Sequence, residues 1–252
     1  MATVRETLES NITPIVLGFS EVRFFESEKR IFRSFLTVNS LDLGVLTYQQ
    51  YRFVARRTKV GNHMVHRHIQ KLFRRIPLLL KENPDIELFT IPVYARLLNE
   101  SELATMLVDM IALYPEVPVG KICIELSADI LYEDLTEAAE KINELRQLGV
   151  KIAVFEVGDQ FCPVFRLSEI NFDYAFMDSY STSSLDKDSC ERIAGSLIGY
   201  LHHLGAKVVA PGLDSEEKIK GARRIGAEAY STDDLTDEWE VSGNNGLFNV
   251  PI

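Results

Sequence analysis

The sequence lacks any apolar run of about 18 residues, the length that a helix needs to cross a membrane. Residues 1–12 are charged and have no apolar centre, so they do not resemble a secretory signal. The three cysteines (Cys123, Cys162 and Cys190) are far apart and match no metal-binding spacing. We therefore expect a cytoplasmic protein with reduced thiols and no membrane partner.

The common signatures of catalysis are also missing. The chain has no Walker-A loop, no G-x-G-x-x-G, no G-x-S-x-G and no H-E-x-x-H. The net charge of −10 argues against direct binding of nucleic acid. An acid–base or metal site would therefore have to be assembled from carboxylates that are distant in sequence.

A unit of helix, glycine and apolar strand occurs three times, over residues 146–156, 202–212 and 223–232. Such a series is typical of an α/β chain with a parallel sheet. The count of about eight strands predicts a (βα)₈ TIM-like barrel that forms one domain over residues 1–252, with a loop-like tail at 240–252. The alternative is a helical subdomain before residue 85 beside a smaller α/β unit.

The local patterns predict most element positions. Residues 48–76 are predicted to be helical with a break at Gly61-Asn62, and further helices are expected over 132–147, over 188–203 and after Ser215. The expected strands cover residues 12–18, 30–38, 86–93, 121–127, 150–157, 172–178, 206–212 and 227–231.

Four carboxylates lie at or just after predicted strand ends: Glu125, Glu156, Asp178 and Asp214. The carboxyl ends of barrel strands converge on one mouth, so these side chains could meet there. The alternative for each acid by itself is a solvated or helix-capping role.

A basic segment precedes residue 76. Its cations are Arg52, Arg56, Arg57, Lys59, Arg67, Lys71, Arg74 and Arg75. The segment is either a solvated helix face or a docking patch for an acidic partner. His68 falls on the apolar stripe of the same helix, which favours burial over a metal site.

Four stretches carry a resemblance to a known family. They are KICIELSADIL (121–131), LRQLGVKIAVFEVGDQF (145–161), FDYAFMDSY (172–180) and LGAKVVAPGLDSEEKI (204–219). In this order they resemble the EAL domain family, barrel phosphodiesterases that open cyclic di-GMP with two divalent metal ions. The resemblance covers about residues 12–231 and implies a (βα)₈ TIM-like barrel of the EAL type.

The resemblance also implies that the site is degenerate. The Glu-Ala-Leu motif falls on Phe35-Leu36-Thr37, and Glu125, Glu156, Asp178 and Asp214 are the vestigial metal-site positions. The altered positions are Phe35, Asn39, Pro92, Ala128, Phe155, Phe176, Pro211 and Ser231. Two divalent ions need several oxygen ligands each, which these residues do not supply. With Asn39 and Phe176 at the family's arginine and lysine positions, we expect an apolar mouth without positive charge. This mouth is either filled by its own side chains or forms an apolar patch for a partner.

We therefore expect a non-catalytic regulatory protein of bacterial signalling, a pseudoenzyme that acts through a protein partner and needs no cofactor or metal. One alternative is a sensor that binds cyclic di-GMP without turnover. Another is a weak phosphodiesterase that holds one metal ion with Glu125, Glu156 and Asp214. A homodimer is a further option, because the family often pairs through helices beside the barrel.

Overall fold

The computed structural model describes residues 2–9, 15–40, 43–99, 102–160 and 162–232. Its strands are β1 (Ile15–Phe24), β2 (Arg30–Ser40), β3 (Gly44–Leu46), β4 (Ile86–Val93), β5 (Ile122–Ser127), β6 (Lys151–Val157), β7 (Tyr174–Met177), β8 (Lys207–Ala210) and β9 (Ala229–Tyr230). Its helices are α1 (Ala2–Glu9), α2 (Tyr48–Arg57), α3 (Val60–Glu82), α4 (Ala95–Asn99), α5 (Glu102–Leu113), α6 (Leu135–Gln147), α7 (Ser179–Thr182), α8 (Asp188–His203) and α9 (Glu216–Arg224).

Eight of these strands close into a barrel. Strand β1 pairs antiparallel with both β2 and β9, and parallel pairing connects β2 to β4 and then each strand to the next as far as β9. Strand β3 pairs antiparallel with residues 38–40 at the end of β2. The predicted α/β barrel of the TIM type is confirmed. A separate helical subdomain before residue 85 is wrong, because β1 and β2 belong to the barrel wall.

The start of the chain differs most from the prediction. Strand β1 runs on to Phe24 and forms a hairpin with β2, whereas residues 12–14 of the expected strand lie outside the described residues. So does the expected loop-like tail at 240–252. Strand β3 was not predicted, since three residues carry too little pattern to be recognised.

The predicted helix over residues 48–76 is two helices that meet at Thr58 and Lys59. Gly61 does not break the chain but lies in the first turn of α3. A Cβ atom there would lie 2.3 Å from the carbonyl oxygen of Ala55, so only glycine lets α3 start so close to α2. Helix α3 also continues through Pro77 to Glu82, although proline has no N–H to donate within the helix.

The apolar core has two parts. One lies between the strands and the helices around them, where α3 packs its buried face. The other fills the barrel and includes Ile31, Leu88, Cys123, Tyr174 and Phe176. Within the described ranges, no helix is long and apolar enough to cross a membrane.

His68 lies on the buried face of α3, as its position in the apolar stripe predicts. Its Nε2 atom is 2.7 Å from the hydroxyl oxygen of Ser34 on β2, and that hydroxyl donates to the carbonyl of Thr90. Ser34 has only one hydrogen to donate, so we assign the proton of the neutral imidazole to Nε2. Burial lowers the pKa of His68 from 6.5 to about 3.

This shift predicts a pH-dependent stability. Between pH 6.5 and about 3 the unfolded chain binds one proton more than the folded chain, so stability falls as the pH falls through this window. His68→Gln removes the titration and keeps a polar side chain toward Ser34. We expect the slope of unfolding free energy against pH to decrease by about 1.4 kcal/mol per pH unit. Urea unfolding across this window measures it, and His66→Gln, at an exposed position, is the control. An unchanged slope in His68→Gln would contradict the assignment.

Candidate functional site

Glu125 is buried inside the barrel at the carboxyl-terminal half of β5 and forms an ion pair with Arg33 of β2. Two hydrogen bonds, Nε to Oε1 and Nη2 to Oε2, are both 2.8 Å long. This paired geometry is the strongest that a guanidinium and a carboxylate form. The side chains are 5% and 1% exposed, so water does not compete for either group.

Phe176 of β7 completes this buried pair. The Arg33 guanidinium carbon lies 4.3 Å from the centre of the Phe176 ring, which is a cation–π contact. The buried hydroxyls of Ser20 and Thr90, on the strands either side of Arg33, have no partner among the described residues. They are neutral oxygens and cannot replace a carboxylate in balancing a divalent cation.

Glu156, at the end of β6, is the centre of a second group of charges. Arg52 of α2 donates to its Oε1 at 2.6 Å, and Ser127 of β5 donates to its Oε2 at 2.9 Å. Arg56, one turn further along α2, contacts Ser127 and lies 2.6 Å from Asp129 Oδ2. Helix α2 is thereby attached across the end of the barrel by two arginines.

The backbone at Glu156 has φ of +64°, in the left-handed region that side chains other than glycine rarely adopt. The parallel register between β6 and β7 shifts at the same place, between Val154 and Val157. The irregular backbone keeps the Glu156 side chain near α2, and the three polar partners offset the conformational cost of about 1–3 kcal/mol.

Aromatic rings fill the space between these charges. Phe35, Phe155 and Phe176 are each at most 8% exposed. The Phe35 ring covers Gly18 of β1 so closely that a Cβ atom there would lie 2.5 Å from ring carbons. The apolar mouth that the sequence predicted is therefore closed by its own side chains and is not an exposed patch.

The expectation of a mouth without positive charge is wrong. Three guanidiniums, of Arg33, Arg52 and Arg56, are paired there with the carboxylates of Glu125, Glu156 and Asp129. Burial lowers the pKa of Arg56, but Asp129 and Glu156 more than offset this and the net shift is upward. Burial first, and Glu156 second, raise the pKa of Tyr48 on α2. The charges at the mouth therefore neutralise one another.

The other two vestigial acids have local roles. Asp178 caps α7 by accepting from the backbone N–H of Ser181. Asp214 is exposed and accepts from Lys218 Nζ at 2.8 Å, and this hydrogen bond lowers the pKa of Asp214. Each of these contacts is local, within four residues along the chain.

The remaining altered positions are structural. Ala128 and Pro92 are buried, and Pro92 pairs in register with Glu125. The Pro211 carbonyl accepts from Thr182, and Ser231 is buried with backbone bonds to Ala210 and Leu213. Asn39 is exposed and pairs with Val45 of β3.

Family and structure comparisons agree with this geometry. A model of the EAL domain matches residues 31–231. The chain belongs to the EAL domain family. The PaMucR phosphodiesterase in complex with c-di-GMP is similar in structure, with a TM-score of 0.80 and 17% identity over 94% of this chain and 95% of that one. The FimX EAL domain has a TM-score of 0.80 and 15% identity over 91% and 92%.

Two further relatives come from named organisms. An EAL domain protein from Listeria monocytogenes EGD-e has a TM-score of 0.73 and 17% identity over 92% of this chain and 90% of that one. An uncharacterized signaling protein of Caulobacter vibrioides is 28% identical over 97 residues. That stretch is 38% of this chain but only 12% of the relative. At these identities the solved structures show the fold alone.

The site of this EAL domain does not fit the two divalent ions that the family resemblance implies. Glu125, Glu156 and Asp129, the acids described at the mouth, are already bound by guanidiniums. Pro92 has no side-chain oxygen, and Phe35 and Phe155 are hydrocarbon. Within the described ranges, no three His, Cys, Asp or Glu side chains form a group that could hold a metal ion.

Sequence reasoning missed Arg33 and misplaced Arg52 and Arg56. Arg33 has the same parity along β2 as Ile31, which lies in the barrel interior. An arginine at an inward position of an apolar strand was a usable signal for a buried ion pair. Arg52 and Arg56 were expected on a solvated helix face or a docking patch, because helical spacing does not show which face meets the barrel.

The buried pair predicts a large cost for losing the cation alone. Arg33→Met leaves Glu125 buried without a counter-charge and should lower the free energy of unfolding by about 3–5 kcal/mol. Arg33→Met combined with Glu125→Leu removes both charges and should recover most of that loss. Urea unfolding of both single variants and the double variant measures the coupling. A loss below about 1 kcal/mol in Arg33→Met would contradict a tight pair.

The aromatic filling makes a second prediction. In Gly18→Ala the new methyl group collides with the Phe35 ring, so we expect a loss of about 1–3 kcal/mol in unfolding free energy. Adding Phe35→Leu should reduce this loss by making room. Gly120→Ala is the control, because a Cβ atom at Gly120 meets nothing within 4 Å. Equal effects of Gly18→Ala with and without Phe35→Leu would show that the ring is not the obstacle.

Proposed function

We propose that this EAL domain is a non-catalytic regulatory module of bacterial cyclic di-GMP signalling, a pseudoenzyme that works through a protein partner. The observation that carries the proposal is the buried ion pair between Arg33 and Glu125. Glu125 on β5 is the acid that the resemblance makes a metal ligand. A buried carboxylate held by two guanidinium hydrogen bonds is not available to a soluble cation.

The loss of a general acid–base residue also supports a non-catalytic function. By the resemblance, Phe176 stands where the family has its catalytic lysine, and a phenyl ring can neither orient nor deprotonate water. Its face instead contacts Arg33 at 4.3 Å. The residue at the lysine position thus stabilises Arg33, the cation that is paired with Glu125.

The mouth is also poorly suited to the substrate. Cyclic di-GMP carries two phosphates and needs donors that are free to bind them. Arg52 and Arg56 are engaged by Glu156, Ser127 and Asp129. The PaMucR phosphodiesterase and the FimX EAL domain have both been seen with c-di-GMP bound, and we propose that this chain has lost that capacity. We further propose that it acts in the cytoplasm.

A calorimetric titration with cyclic di-GMP tests the proposal. With Mg²⁺, with Mn²⁺ and with EDTA, we expect neither a binding isotherm nor a linear product by chromatography. Glu125→Gln should leave these results unchanged. An active EAL phosphodiesterase assayed in parallel is the positive control.

Two outcomes would overturn the proposal in different ways. Saturable binding without product would make the protein a cyclic di-GMP sensor. Metal-dependent hydrolysis that is lost in Glu125→Gln would make it a phosphodiesterase, in which the acids exchange their arginine partners for metal.

A further inference from the structure

The chain has one long segment without acid. No aspartate or glutamate occurs between Asp42 and Glu82, although the whole protein carries 37 acidic residues and a net charge of −10. Two of the cations in this segment, Arg52 and Arg56, are bound at the barrel mouth. The others belong mainly to α3, whose opposite face is buried against the barrel.

The outward face of α3 carries a row of cationic side chains. His63, Arg67, Lys71, Arg74, Leu78 and Lys81 follow one another at intervals of three or four residues and so lie along one line of the helix. We call the three cations at the outer end of this row the α3 stripe: Lys71, Arg74 and Lys81. Leu78, within the same row, is 42% exposed.

The α3 stripe is not neutralised along its length. Lys71 and Lys81 form no ion pair with any residue that the structure describes. Arg74 donates its Nε to the neutral hydroxyl of Tyr114. Burial first, then Arg67 and Arg74, lower the pKa of Lys71, which means that these like charges repel one another.

We propose that the α3 stripe is the docking surface for the partner, and that the partner presents an acidic protein segment with an apolar side chain for Leu78. This inference rests on the proposed function for the view that the protein works through a partner. A row of repelling cations is relieved when carboxylates bind along it, and Leu78 gives the contact an apolar anchor. The α3 stripe replaces the wider docking patch that the sequence predicted, because Arg52 and Arg56 of that patch pair with acids at the barrel mouth.

The surroundings of the stripe favour a protein over a nucleic acid. Glu102 and Asp109 of α5 lie beside His66 of α3, where these side chains line one groove. These acids, together with the net charge of −10, repel a polyphosphate that extends beyond a single helix. An acidic protein segment, unlike a polyphosphate, can confine its carboxylates to the residues that meet Lys71, Arg74 and Lys81.

Fluorescence anisotropy on the full chain tests the proposal. The probe is a labelled helical peptide about four turns long, with glutamates at every third or fourth position and one leucine. Its lysine-for-glutamate counterpart and a single-stranded DNA of equal length are the comparison probes. We expect the acidic peptide alone to bind, with affinity that falls between about 0.05 and 0.3 M salt.

Charge reversal assigns the binding to the stripe. The triple variant Lys71→Glu, Arg74→Glu and Lys81→Glu should bind the acidic peptide at least about tenfold more weakly. Lys187→Glu, Arg192→Glu and Lys220→Glu change the net charge equally at exposed positions on the far helices and should bind like the parent chain. Thermal melting of both variants shows that the fold is kept.

Three results would overturn the proposal: no binding of the acidic peptide, an equal loss in both triple variants, or DNA binding as tight as peptide binding. Cyclic di-GMP hydrolysis is assayed on the same samples. If the chain hydrolyses cyclic di-GMP and still binds the peptide through α3, the non-catalytic function fails while the docking surface stands. If the peptide does not bind and no hydrolysis occurs, only the docking surface fails.

Discussion

Inside the barrel, the guanidinium of Arg33 faces the carboxylate of Glu125, and the packing of the barrel interior depends on that contact. Taking Glu125 out of water is costly unless a cation accompanies it, and Arg33 is that cation. The Arg33–Glu125 pair is neutral as a whole, so it needs no soluble ion. Phe176, which carries no charge, lies against the guanidinium. The two charges thereby balance inside the barrel, at the position where the resemblance to the EAL family implies a metal ligand.

The second charge group closes the mouth above this pair. Helix α2 is connected through Arg52 and Arg56 to Glu156, Ser127 and Asp129, which belong to distant parts of the chain. The left-handed backbone at Glu156 is sustained by these contacts. With Arg52 and Arg56 paired at the mouth, we propose that the protein contacts its partner through the α3 stripe at the side of the barrel.

Much of the fold was predictable from local pattern, and the exceptions have physical causes. The helix over residues 188–203 and the Ser215 cap of α9 are confirmed, because periodicity and capping are properties of neighbouring residues. The break between α2 and α3 was predicted too late, at Gly61. The close approach of Gly61 to Ala55 depends on the packing of two helices and leaves no mark in a hydropathy pattern.

The sequence by itself determined the order of the eight barrel strands, the family resemblance, and the absence of a side-chain oxygen at Pro92, Phe155 and Phe176. These follow from residue types at known places along the chain. Only the tertiary structure decided which charges meet, because Arg33 and Glu125 are separated by 92 positions and Arg52 and Glu156 by 104. Barrel closure brings each pair together, and no spacing rule along the chain contains that information.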